Sequence, residues 1–166
     1  MTQQQTFSVL MVCLGNICRS PSAHAIMQHK VDAAGLGQHI VVDSAGTGDY
    51  HIGKAPDPRS IDAAAQRGYD LRPLRARQVT RDDFQRFDYL VAMDHSNRSN
   101  LLRLCDSALQ ARISLLLEYA GEEAGTLEVP DPYYGAEDGF EQVLDLVERG
   151  CEGLLRHLQS ELQRRG

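Results

Sequence analysis

The chain has 166 residues, 42% hydrophobic and 24% charged, with a formal net charge of −6; that length suits one domain with one sizeable core, and the acidic balance argues against a general nucleic-acid binder, which is normally basic. Residues 1–6, MTQQQT, carry no lysine or arginine, so the basic start of a secretory leader is missing, and the apolar run Val9 to Leu14 is far too short to cross a bilayer. A single domain over residues 1–166 is expected, cytoplasmic and without membrane insertion, with residues 1–6 flexible.

In chain order, Phe7 to Cys13 reads as a buried strand, aliphatic and β-branched. Ser20-Pro21 then opens a helix to about Ala34, with serine as N-cap and proline at the first helical position, where its missing N–H costs nothing. Gly35 is the expected stop. His39 to Ser44 is a second strand, feeding the glycine-rich stretch AGTGDYHIG. Asp57-Pro58 repeats the capping signal before a helix ending near Gly68. Phe87 to Met93 is a third strand, Ser96 to Leu104 a helix, Ile113 to Leu117 a fourth strand, and Gly139 to Gln163 a long amphipathic helix. Strands alternating with helices predict an α/β domain with a parallel sheet of about four strands and helices on both faces. In such sheets ligands sit beyond the carboxyl ends of the strands, and Cys13 stands at one.

The stretch CLGNICRS, Cys13 to Ser20, joins that strand end to a helix start. A helix N-terminus offers unpaired N–H groups and a partial positive charge, which favour a bound oxyanion such as phosphate. Gly15 and Asn16 tolerate left-handed backbone, so the loop can curl its amides inward. Arg19 adds a planar, permanently charged fork suited to two phosphate oxygens. The same field favours the anionic form of the Cys13 sulfur, as does the Ser20 hydroxyl; an ordinary thiol, titrating near ~8.5, is only a few per cent ionised at neutral pH. A phosphate cradle with a thiolate at its base is suited to nucleophilic phosphoryl transfer. The other cysteines form no CxxC pair, so zinc-ribbon and thioredoxin-type spacings are absent, and Cys105 and Cys151 read as small buried apolar residues. His24 and His29 are five apart and share no metal-binding face; His51 and His95 read as structural or solvated. GTGDYHIG lacks the spacing of a dinucleotide loop. Neither metal nor cofactor is expected.

VCLGNICRSPSA closely resembles the signature loop of the low-molecular-weight protein tyrosine phosphatases. The resemblance recurs in DSAGTG (Asp43 to Gly48), ARQVTRDDFQRFDYLVAMDHSN (Ala76 to Asn97) and DPYYG (Asp131 to Gly135), and so covers nearly the whole chain. It implies a phosphate-binding loop between the first strand and the first helix. Cys13 matches the nucleophile that forms a cysteinyl-phosphate, Arg19 the residue that grips the phosphoryl oxygens, and Asp131 the general acid. Leu14, Gly15, Asn16, Ile17, Cys18 and Ser20 complete the substrate loop. In the family, the serine at the Ser20 position stabilises the leaving thiolate, and the asparagine holds the loop in shape; here a bond from Asn16 to Ser44 is expected. An acid is needed because tyrosine is a poor leaving group, with a pKa near ~10. Tyr50 and Tyr133 are placed to flank a phosphotyrosine ring.

In the arginine-phosphatase branch of the family, the loop position equivalent to Ile17 resembles a threonine that contacts the guanidinium; isoleucine offers an apolar wall suited to an aromatic ring. Many animal members carry a loop-bracing histidine where this chain has Leu74, and many have tryptophan at Tyr50. In the family, a cysteine placed like Cys18 can trap the oxidised nucleophile as a reversible disulfide. The activity implied is phosphotyrosine hydrolysis on proteins, with a tyrosine autokinase among the substrates of bacterial relatives. The alternatives are an arginine phosphatase, a thiol-dependent arsenate reductase, and a non-catalytic phosphotyrosine-binding module. Against the reductase, the stretch Arg81 to Asn100 holds no relay cysteine.

Overall fold

Four parallel strands in the order β2-β1-β3-β4 form the centre of the protein in its computed structural model, which describes residues 6–132 and 138–165. They are β1 (Phe7–Cys13), β2 (Ile40–Gly46), β3 (Tyr89–Ala92) and β4 (Ile113–Leu115). The helices are α1 (Arg19–Ala33), α2 (Pro58–Gln66), α3 (Asp83–Arg86), α4 (His95–Leu104) and α5 (Asp138–Arg165). The expected flexibility of residues 1–5 and the placement of Tyr133 lie outside the described residues.

From Val9 to Cys13 the strand β1 is apolar without a break because both its faces are covered. Phe7, Val9, Met11 and Cys13 join one buried cluster with Ile26, Met27 and Val31 of α1 and Val143, Val147 and Leu154 of α5. Leu10 and Val12 point the other way, to Phe84, Phe87 and Leu101. Strand alternation thus divides one continuous hydrophobic run between two layers, as a parallel sheet requires. β1 pairs with β2 over its full length, Phe7 with Ile40 through Cys13 with Gly46, and with β3 on its other edge.

Several boundaries differ from the expectation. The first helix begins at Arg19, with Cys18 at its N-cap and no side-chain cap. Ser20 does not cap because its hydroxyl is turned to the Cys13 sulfur, 3.0 Å away. The fourth strand stops at Leu115: the Glu118 carboxylate accepts the Leu115 N–H at 3.1 Å, and residues 116–118 curl into a 3₁₀ turn instead. The third strand is Tyr89–Ala92, shorter at both ends than predicted, and β2 runs two residues further than predicted, to Gly46. The short helix α3 was not anticipated. The Asp57-Pro58 signal holds: the Asp57 carboxylate accepts the Arg59 N–H at 2.8 Å, and Pro58 is the first residue of α2. Gly35 and Gly68 follow their helices in left-handed backbone, φ 73° and 90°.

Candidate active site

The carboxyl end of β1 hands the chain to α1 through Leu14–Cys18, and a cleft of about 470 Å³ opens above this loop. Cys13, Leu14, Gly15, Ile17, Cys18, Arg19, Tyr50 and Asp131 line it. Residues up to 118 positions apart in sequence are therefore gathered at one strand end. Asn16 and Ser20 lie beneath, both buried. No cluster of three or more His, Cys, Asp or Glu suited to a metal occurs among the described residues.

Cys13 is 3% exposed, and its sulfur receives the Asn16 N–H at 3.3 Å. Ser20 Oγ lies 3.0 Å from it. That hydroxyl accepts a hydrogen bond from Asn16 Nδ2 at 2.7 Å, and its own proton has two acceptors within reach, the sulfur at 3.0 Å and the Ala45 carbonyl at 3.4 Å. Asn16 can do this because it holds left-handed backbone, φ 58°. Gly46, opposite Cys13 in β2, leaves room for the loop: a Cβ there would sit 2.6 Å from the Leu14 carbonyl oxygen. The chain turns back over its own strand end at van der Waals distance, and only glycine permits it.

Arg19, 3% exposed, is fixed from outside the loop. Its Nη1 donates to Asp94 Oδ2 at 2.6 Å and to the Val129 carbonyl at 3.1 Å, and its Nη2 lies 3.6 Å from Asp131 Oδ2. Burial opposes its charge, but Cys13, Asp94 and Asp131 outweigh that penalty and hold the guanidinium protonated. Asp94 is itself locked: as N-cap of α4 its carboxylate accepts the Asn97 N–H at 2.8 Å, while Asn97 Oδ1 accepts the Asp94 N–H. Burial pushes the Cys18 thiol up to about 12, so the second cysteine of the loop stays protonated at neutral pH.

One expected contact is corrected. Ser44 does not hold Asn16; its hydroxyl lies 3.0 Å from Nδ1 of His24 on α1. Asn16 instead spends its carbonyl oxygen on the Arg77 N–H, at 3.0 Å. Loop bracing thus comes from the backbone of Arg77, while Leu74 packs against the core. Three residues escaped the sequence reading. His51 lines the cleft, and a Cβ on Gly15 would approach its Cδ2 to 2.9 Å. Asp94 orients Arg19, and Arg77 holds Asn16. For Asp94 the signal was present in the Asp94…Asn97 capping spacing; for the other two it was not.

Residues 8–164 match the family model of low molecular weight phosphotyrosine protein phosphatases. The chain belongs to the low-molecular-weight protein tyrosine phosphatase family. A member from Streptomyces coelicolor, a low molecular weight protein-tyrosine-phosphatase, is 43% identical over 162 residues, 96% of this chain and 98% of its own. The crystal structure of a protein tyrosine phosphatase from Entamoeba histolytica, with Hepes in the active site, shares the fold at a TM-score of 0.91 and 40% identity, covering 94% of this chain and 99% of that one. A Drosophila arginine phosphatase does so at a TM-score of 0.82 and 35% identity, covering 90% and 96%. As a protein-tyrosine phosphatase the chain is a hydrolase of phosphotyrosine proteins, and no helix among its described residues is long and apolar enough to cross a membrane.

Proposed function

We propose that the phosphatase works through a cysteinyl-phosphate on Cys13. The thiolate attacks phosphorus while Arg19 and the loop amides hold the phosphoryl oxygens. The bond from phosphorus to the tyrosine oxygen breaks, and Asp131 gives that oxygen a proton. Water then attacks the phosphorus of the intermediate, Asp131 takes a proton from it, and the sulfur–phosphorus bond breaks to release inorganic phosphate. The Ser20 hydroxyl stabilises the sulfur as it leaves. Leu14, Gly15, Asn16, Ile17 and Cys18 complete the cradle.

The observation that carries this reading is the seat of the thiol: one amide at 3.3 Å and one hydroxyl at 3.0 Å, on the floor of a cleft that Arg19 and Asp131 also line. Hydrogen-bond donors aimed at a sulfur favour its charged form, which is both the better nucleophile and the better leaving group. Ile17 and Tyr50 give the cleft apolar walls that suit a phenyl ring. Cytoplasmic phosphotyrosine proteins, a tyrosine autokinase among them, are the substrate set this reading implies.

The test is hydrolysis of matched phosphotyrosine, phosphoserine and phosphoarginine peptides, with arsenate reduction alongside. Turnover of phosphotyrosine alone, lost in Cys13→Ser with peptide binding retained, is the expected result. Faster turnover of phosphoarginine would move the chain to the branch of its Drosophila relative. A Cys13→Ser variant that still turns over would overturn the mechanism.

A further inference from the structure

The stretch Ala76 to Phe84, ARQVTRDDF, contributes no residue to the cleft lining, yet it contains a dense polar cluster. The Asp83 carboxylate, 1% exposed, takes both terminal nitrogens of Arg77, at 3.0 and 3.1 Å. It also accepts the Thr80 N–H at 2.8 Å and the Thr80 hydroxyl at 3.3 Å. Asp43, on β2, closes the other side of the guanidinium at 3.2 Å. Burial would raise the Asp83 carboxyl, but Arg77 and Thr80 outweigh it and hold it below the usual carboxylate range.

The backbone of the same arginine is used twice. Its carbonyl accepts the Gly46 N–H at 2.8 Å, and its N–H donates to Asn16 Oδ1 at 3.0 Å. The Val79 N–H returns to the Gly46 carbonyl at 2.8 Å. Arg77 is therefore tied to the end of β2 by backbone and side chain together, and from that anchor it holds the loop asparagine. Asn16 has no freedom left: Oδ1 is on Arg77, Nδ2 is on Ser20, and its own N–H points at the Cys13 sulfur. A left-handed non-glycine residue persists only when its surroundings over-determine it, and here Arg77 supplies the outer constraint.

We propose that Arg77, clamped by Asp83 and Asp43, is a positioning residue for the reaction at Cys13, acting through Asn16 to keep the amide and the Ser20 hydroxyl on the sulfur. The clamp requires arginine, because one planar fork meets two oxygens of Asp83 and one of Asp43, a geometry that a lysine ammonium cannot reproduce. The inference rests on Cys13 being the nucleophile.

The experiment measures kcat and KM for an aryl phosphate, and the rate of Cys13 alkylation by iodoacetate at pH 6, in Arg77→Ala, Arg77→Lys, Asn16→Ala and the double variant Arg77→Ala/Asn16→Ala. The expected result is a kcat about tenfold lower or more in Arg77→Ala with KM within roughly twofold, slower alkylation, and a double variant no worse than Asn16→Ala alone. Arg77→Lys should fall between wild type and Arg77→Ala. Should Arg77→Ala fail to fold, Asp43→Asn, on the exposed side of the clamp, supplies the same readouts. Unchanged kcat and alkylation in a variant that merely melts earlier would overturn the inference, as would fully additive losses in the double variant. A Cys13→Ser enzyme that still turns over would instead mark failure of the nucleophile assignment.

Discussion

The floor and the rim of the cleft are built on different terms. On the floor, Cys13, Asn16, Arg19 and Ser20 are all buried, and each is hydrogen-bonded to another part of the loop or to a distant element. On the rim, Tyr50 is 70% exposed and the Asp131 side chain 41%. The contrast separates two tasks. Groups that must not reorganise while charge moves are fixed by the fold before substrate arrives. Groups that meet a variable peptide stay at the surface, where substitution costs little stability.

If that division is right, variants on the two sides should fail differently. The largest effect concerns a rim residue with a chemical task. Asp131→Asn is expected to lower kcat/KM, which reports the transfer to Cys13 and not the shared hydrolysis of the intermediate, by about 10²- to 10⁴-fold on phosphotyrosine peptides, and by much less on an aryl phosphate whose leaving group needs no proton. Equal losses on both substrates would remove Asp131 from the acid role. Next, peroxide should oxidise the Cys13 sulfur to a sulfenic acid. The Cys18 thiol condenses with it, releasing water and forming a disulfide that added thiol reduces. Cys18→Ser should therefore recover several-fold less activity than wild type after the same exposure; recovery as complete as wild type would assign Cys18 to packing alone. Tyr50→Ala should raise KM for peptides by about threefold through lost ring contact, leaving kcat on a small aryl phosphate unchanged. A kcat loss there would mean that the rim shapes the floor.

The smallest expected effect is on stability. Burial is the main cause holding the His24 imidazole below its ordinary range, Arg77 adds to it, and Asp43 opposes it. The unfolded chain then binds a proton more readily than the folded one, so stability is lost as pH falls beneath about 6.5, the ordinary histidine value. The advantage of wild type over His24→Asn in chemical denaturation should shrink across that window. A difference that does not vary with pH would show that the imidazole is not held neutral by its burial.

Much of this was legible in the sequence. The run Phe7 to Cys13, the left-handed asparagine of the loop, and Asp57-Pro58 are local signals, and the structure honours them; Gly15, expected to share that left-handed backbone, does not, and is small instead because His51 packs against it. What the sequence hid are contacts made across long separations. Arg19 reaches Asp94 and Val129, 75 and 110 positions away, and Asn16 reaches Arg77, 61 away. Periodicity carries no trace of such pairs. Ser20 misled as a cap because a hydroxyl satisfies whichever partner the tertiary fold brings nearest, and here that partner is sulfur. Ser44 misled for the same reason, since its neighbour in space is a histidine one helical turn beyond Ser20.

The sheet order has a last consequence. β1 has a partner on each edge, whereas β2 and β4 lie at the margins. Amide protons of Val9 to Val12 should accordingly be among the slowest in the molecule to exchange with deuterated water. The reactive sulfur is mounted on an interior plank, so breathing at either border of the sheet can proceed without unseating it.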